Sequence, residues 1–200
     1  KFLQRLVQMT IDSKIDKLGF VKKGMKETFE MLRGIQTNHL LLKTYTKKRA
    51  DPLYDIDKEV HVGIFTHDQY RKNIHNQVAA ALMIKDAKVH LKKTYSFEYL
   101  KASDRFIIHG HSDSYDYFLN ILGSMNINLY VSFSECWGQV ITESLALGVP
   151  CMAAYSSGVF DYGEEISKML VVEDFDNSAA IYQQAKTVLE NRDKISDMGK

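Results

Sequence analysis

Two glutamates eight positions apart, Glu135 and Glu143, enclose a tight polar segment, Cys136-Trp137-Gly138-Gln139-Val140. Glycine lets a ligand approach the main chain closely. If a helix starts at Gln139, its first N–H groups are unpaired and carry the positive end of the helix dipole, an arrangement suited to a diphosphate. Glu143 then lies about one and a half turns into the helix. A carboxylate accepts two hydrogen bonds in a geometry matching a ribose diol, which makes Glu143 the expected ribose clamp. Glu135, before the turn, is placed nearer the group to be transferred.

Arg71 and Lys72 lie in the segment THDQYRKN, directly before a helical pattern. Cations there can neutralise a nucleoside diphosphate and stabilise it as a leaving group. His109 and His111 flank Gly110, and His67 lies in another loop. No carboxylate or cysteine completes a short-range ligand set with them, so no metal site is expected. The run Lys43 to Arg49 reads as a solvated edge, without the pattern of a nucleic-acid site.

These loops need a scaffold. From Val60 onward, short β-branched or aromatic runs (VHVGIF, AKVHL, RFIIH, NLYVSF, PCMAA, MLVVE) alternate with stretches of helical period, the pattern of a parallel sheet covered by helices. The expected fold is an α/β, Rossmann-like doubly wound domain. Gln77, Ala80, Ala81 and Ile84 repeat on one helical face, and the helix from Val140 to Leu147 stops at Gly148 with Pro150 beyond. In such sheets ligands bind at the carboxyl ends of the strands, which selects THDQYRKN, HGHSDS and SECWGQ as the loops for chemistry.

The 200 residues, 45% apolar and 26% charged, are expected to form one domain, with residues 1–55 a lead-in and 56–200 the core. Within the lead-in, LGFV and HLLLKTY are candidate strands around the helix MKETFEML. A net charge of +1 gives no field that recruits nucleic acid. Cys136 and Cys151 are too few for a disulfide framework and point to a reducing, cytoplasmic setting. No apolar run reaches the roughly 20 residues of a membrane-spanning helix.

The segment SECWGQVITESLALGVP resembles the E-x7-E signature of retaining GT-B glycosyltransferases, usually written E-G-F-G-x-x-x-x-E-A-x-A-x-G-x-P. The resemblance implies the C-terminal, donor-binding half of such an enzyme, a hexosyl- or related transferase of carbohydrate biosynthesis. Its substrate would be a UDP- or GDP-linked sugar, with no cofactor and no metal. Glu143 would bind the donor ribose, and Glu135 would lie by the donor sugar and acceptor. Lys72-Asn73 matches the family's K-N, whereas the family's Arg after the strand glycine is replaced by Ile64, with Arg71 nearby. The loop with Gly110 and His111 would line the base pocket, chiefly through backbone. Cys136 and Trp137 stand for a small residue and Phe, and SSGVFDYGEE stands where G-G-x-x-E is common.

By the same resemblance a glycan, lipid or other acceptor would be held by an N-terminal domain outside this chain, so the chain alone is not expected to transfer sugar. The full-length enzyme could associate peripherally with a membrane. Two readings compete: an epimerase or phosphorylase of GT-B fold, and a non-catalytic nucleotide-binding module. A dinucleotide dehydrogenase is disfavoured because no G-x-G-x-x-G follows VHVGIF.

Overall fold

The computed structural model describes residues 2–40, 42, 44, 51–93, 103–110 and 114–198. The chain forms two compact units, Lys1–Lys43 and Thr44–Lys200. The first contains α1 (Phe2–Ile11), β1 (Gly19–Phe20), α2 (Lys23–Arg33) and β2 (Asn38–His39). β1 and β2 pair in parallel, so this is a small β-α-β element; β1 takes two residues of LGFV, and β2 takes Asn38 with His39, the first residue of HLLLKTY. Phe29 of α2 packs on Phe20 with ring centroids 5.0 Å apart, and Gly34 ends α2 in the left-handed conformation that favours glycine.

Residues from Asp51 onward belong with the second unit, for visible reasons. The Leu53 amide donates to Ser124 Oγ at 2.9 Å, and the Tyr54 ring stacks on His61 at 4.8 Å. The elements that follow are β3 (His61–Ile64), α3 (Ile74–Met83), β4 (Lys88–Lys92), β5 (Phe106–His109), α4 (Tyr115–Leu122), β6 (Ile127–Tyr130), α5 (Gln139–Ala146), β7 (Cys151–Ala154), α6 (Glu164–Leu170), β8 (Val171–Val172), α7 (Ser178–Glu190) and α8 (Arg192–Met198).

β3 to β8 are the six runs read from the sequence, and they form one parallel sheet in the order β5-β4-β3-β6-β7-β8. That is the Rossmann order, in which the chain reverses direction between β3 and β6. Side-chain alternation explains why both faces need cover. Ile127, Leu129 and Val131 point into one layer with Val78 and Ala81 of α3 and Ile181 and Ala185 of α7. Tyr130, Cys151 and Ala153 point the other way, against Ile141 of α5. A sheet buried on both sides reads in sequence as predominantly apolar runs, as β7 does throughout and β3 and β6 do apart from His61 and Asn128.

One buried polar feature interrupts the core. On β3, β4 and β5, His61 Nδ1 lies 2.8 Å from His90 Nε2, and His90 Nδ1 lies 2.9 Å from His109 Nε2. Burial lowers the pKa of all three, that of His90 to about 3, so the folded protein holds them neutral at pH 7. Unfolded histidine takes up a proton near 6.5, so between that pH and about 3 the unfolded chain binds more protons. Stability present at neutral pH should therefore drain away as the pH falls through this window, by at most about 1.4 kcal/mol per pH unit for each histidine. Urea midpoints at pH 7, 6 and 5 measure it. His90→Leu should flatten that dependence, and an unchanged slope in the variant would assign the acid sensitivity elsewhere.

Candidate functional site at the carboxyl ends of β3 and β6

The loops after β3 and β6 lie side by side at the reversal of the sheet, where ligands of such folds bind. A single turn of 3-10 helix, Tyr70–Lys72, leads into Asn73, whose left-handed backbone turns the chain into α3. Gln77 fixes that turn. Its Nε2 donates to the Lys72 carbonyl at 2.7 Å, and its Oε1 accepts from the Val131 amide at 2.9 Å. The Phe133 amide adds a 2.9 Å bond to the Arg71 carbonyl, stitching the two loops together.

Lys72 is only 3% exposed. Its Nζ donates to Tyr130 Oη at 2.6 Å and to Glu135 Oε2 in a short ion pair. Burial lowers the Lys72 pKa, and the Glu135 carboxylate opposes that shift. Burial likewise raises the Glu135 pKa, but the bond and charge of Lys72 outweigh it and hold the carboxyl below its ordinary value. Tyr130 is pushed well above its ordinary pKa, first by burial and then by Glu135, so its hydroxyl stays protonated. Arg71 is exposed, with Nη1 3.9 Å from Glu135 Oε2 and 3.2 Å from the Ser134 carbonyl. An ammonium has three N–H groups. Two of those on Lys72 are accounted for, and the third has no hydrogen-bond partner among the described residues.

Gly138 is the N-cap of α5, at φ 89°, a region that L side chains rarely adopt. A Cβ there would lie 2.5 Å from Ile141 Cδ1. Gly138→Ala should therefore cost about 1–3 kcal/mol, combining a left-handed backbone with a clash. Thermal unfolding checks it, and an unchanged Tm would mean the turn can relax. Beside this turn lie buried hydroxyls. Ser132 Oγ and Ser157 Oγ have no hydrogen-bond partner among the described residues, and Ser157 Oγ lies 3.6 Å from the Gly138 Cβ position.

Glu143, the expected ribose clamp, is buried between helices. It is 4% exposed, and Tyr115, the first residue of α4, donates its hydroxyl to Glu143 Oε1 at 2.6 Å. Burial raises the Glu143 pKa, with Tyr115 and then Lys92 opposing. The α4–α5 packing covers the carboxylate, and one of its oxygens is already occupied.

Among the other expected residues, Cys136 and Gln139 are exposed, Val140 is half-buried and Trp137 is buried. Cys136 and Cys151 are free thiols. Gly110 follows β5, with no atom of the described residues within 4 Å of where a Cβ would sit, whereas His111 and most of the Lys43 to Arg49 run lie outside the described residues. Among the described residues no group of three or more His, Cys, Asp or Glu is arranged to hold a metal, and no helix is long and apolar enough to cross a membrane. The structure brings Arg71, Lys72 and Glu135, expected in two separate loops, into one cluster, and adds Tyr130, Gln77 and Tyr115, which sequence reasoning did not assign to the site. A glutamine on an otherwise apolar helical face was the one readable signal among them.

Neither the protein-family models nor the curated proteins contain a match to this chain. Solved structures do. TarM superposes with a TM-score of 0.74 at 12% identity, over 98% of this chain and 41% of that one. Sucrose-phosphate synthase from Thermosynechococcus elongatus gives 0.72 at 19%, over 92% and 52%. The pneumococcal O-GlcNAc transferase GtfA, in complex with UDP and GlcNAc, gives 0.61 at 14%, over 96% and 43%. The fold is that of the GT-B glycosyltransferases. The chain spans about half the length of these GT-B structures. At such identities the likeness establishes the GT-B architecture alone, and site chemistry must be argued from the residues.

Proposed function

We propose that this chain is the donor-binding half of a retaining glycosyltransferase that uses a nucleoside diphosphate sugar. The observation that carries the reading is the junction of a buried cation, Lys72, with Glu135 and the glycine-started helix α5 at the reversal of a Rossmann sheet. The leaving group in sugar transfer is a nucleoside diphosphate, whose charge grows as the glycosidic bond to phosphate breaks. The third N–H of Lys72, the exposed guanidinium of Arg71 and the N-terminal amides of α5 are preorganised donors for that charge, and do the work a metal ion would do elsewhere. Glu143 takes the ribose, the loop at Gly110 and His111 takes the base, and Cys136, Trp137, Gln139 and Val140 shape the turn around the phosphates. Glu135 orients Lys72 and faces the transferred sugar.

The structure of GtfA with UDP supports a uridine or similar donor. The acceptor, a glycan, lipid or other hydroxyl-bearing molecule, is assigned to a second domain, with the enzyme in the cytoplasm and in peripheral contact with a membrane. Calorimetric titration with UDP and GDP, then with free phosphate and with hexose, tests the reading. Micromolar to millimolar binding of a nucleoside diphosphate, with far weaker binding of the other two, is expected. Preferential binding of phosphate points to a phosphorylase-like site instead, and binding of none removes the proposal. Transfer to a defined acceptor should need the longer enzyme, and transfer by this chain alone would remove the two-domain part.

A further inference from the structure

The His61–His90–His109 chain takes no part in the chemistry above, yet it has a direction. Each link joins an Nδ1 to an Nε2 and advances one strand, from β3 to β4 to β5. It also advances two residues along the sheet, since His90 pairs with Gly63, two beyond His61, and His109 pairs with Lys92, two beyond His90. The next step on that diagonal lies past the carboxyl end of β5, where the loop begins at Gly110. His109 is 9% exposed, and its Nδ1 makes no hydrogen bond to any described residue.

Three neutral imidazoles in a chain share one polarity, because each must donate once and accept once. Glu59 selects it. Its Oε2 lies 4.0 Å from His61 Nε2, and a lone pair facing a carboxylate is repelled where an N–H is attracted. With the proton on His61 Nε2, His61 Nδ1 accepts from His90 Nε2–H, and His90 Nδ1 accepts from His109 Nε2–H. His109 Nδ1 is left as a bare acceptor. Beyond burial, which lowers the His61 pKa most, Glu59 and Asp55 raise it and Lys88 lowers it, while Tyr54 packs its ring against His61 and His90.

His109 also joins the proposed donor site through touching rings. Phe65 lies 5.8 Å from His109 and 6.0 Å from Phe118, and Phe118 lies 6.4 Å from Tyr115, which bonds Glu143. Phe65 is buried, but Tyr115 is exposed and Phe118 half-buried, and an aromatic surface with one acceptor at its far end suits a flat base beyond the ribose. We propose that Glu59, acting through His61 and His90, fixes His109 Nδ1 as a hydrogen-bond acceptor that selects a nucleobase carrying a ring N–H, such as uracil or guanine. Cytosine presents a lone pair at the equivalent ring nitrogen and is rejected, since two acceptors would face each other. The base selection rests on the nucleotide reading of the site; the proton order along the chain does not.

The experiment therefore has two arms. Nitrogen-15 NMR of the wild-type histidine rings should find His109 protonated on Nε2 and bare on Nδ1. Glu59→Gln, at a half-exposed position, should leave the Tm unchanged while mixing that tautomer with its opposite. Calorimetry should find UDP bound at least tenfold more tightly than CDP by wild type, with the ratio reduced severalfold in Glu59→Gln and near one in His109→Leu. Protonated Nδ1 in wild type overturns the assigned direction, and equal affinities for UDP and CDP overturn the base selection. If no nucleotide binds, the functional reading fails and the base selection with it, while the NMR arm still decides the proton order.

Discussion

Lys72→Ala should lower both stability and nucleotide affinity, and by separable amounts. Lys72 and Glu135 are a largely buried pair, and removing one partner strands the other charge, which typically costs about 3–5 kcal/mol. Glu135 keeps part of its compensation from the Cys136 amide, which donates to Oε1 at 3.3 Å, and from Arg71 nearby. The loss should therefore fall at the lower end of that range. Adding Glu135→Gln to Lys72→Ala removes the stranded charge, so the double variant should be more stable than Lys72→Ala alone. Urea unfolding of the four proteins in the cycle measures this coupling. A double variant as unstable as the sum of its singles would mean the pair contributes nothing as a pair.

The binding effect is isolated by comparing ligands on the folded protein. Losing one charge-assisted phosphate contact costs roughly 1.5–3 kcal/mol, about ten- to a hundredfold in affinity for UDP. Uridine, without phosphates, should lose little. If both ligands weaken by the same factor, Lys72 serves the fold and the phosphate assignment is wrong.

Glu143→Gln should separate binding from stability in the opposite way. In the unliganded protein the buried carboxylate is disfavoured, as its raised pKa records, and a glutamine oxygen still accepts the Tyr115 hydroxyl. A group whose folded pKa is raised destabilises the native state once the pH exceeds its unfolded value, so near pH 7 the ionised Glu143 costs stability. The amide removes that cost, and the Tm of Glu143→Gln should be equal to or above wild type. With ligand the order reverses. If Glu143 holds the ribose as proposed, the ribose loses an ionised acceptor and meets a misplaced N–H, and UDP affinity should fall about ten- to a hundredfold. A 2′,3′-dideoxy analogue is the control: wild type should bind it poorly, and the variant no worse than wild type does. A variant that melts early, or loses the same factor against both ligands, makes Glu143 a packing residue.

The sequence by itself determined the second unit's architecture. Parallel strands buried on both faces are short and predominantly apolar, and helices covering them keep a 3.6-residue period, a pattern that the six runs from VHVGIF to MLVVE and the stretches between them follow. The SECWGQ turn was equally legible, because a positive φ at a helix start leaves its mark as Gly138. What separated these cases from the rest is locality: strand, turn and cap are each encoded within a few residues. Only the tertiary structure decided which charges are paired. The 63 positions between Lys72 and Glu135 are closed by the adjacency of β3 and β6, a consequence of strand order that no local pattern carries. The same holds for Tyr115 on Glu143, and for three histidines spaced irregularly in sequence that meet because the sheet sets β3, β4 and β5 side by side. Spacing along the chain made Glu143 the expected ribose clamp; that the packing of α4 on α5 buries it was not legible, because burial is a property of neighbours brought from elsewhere in the fold.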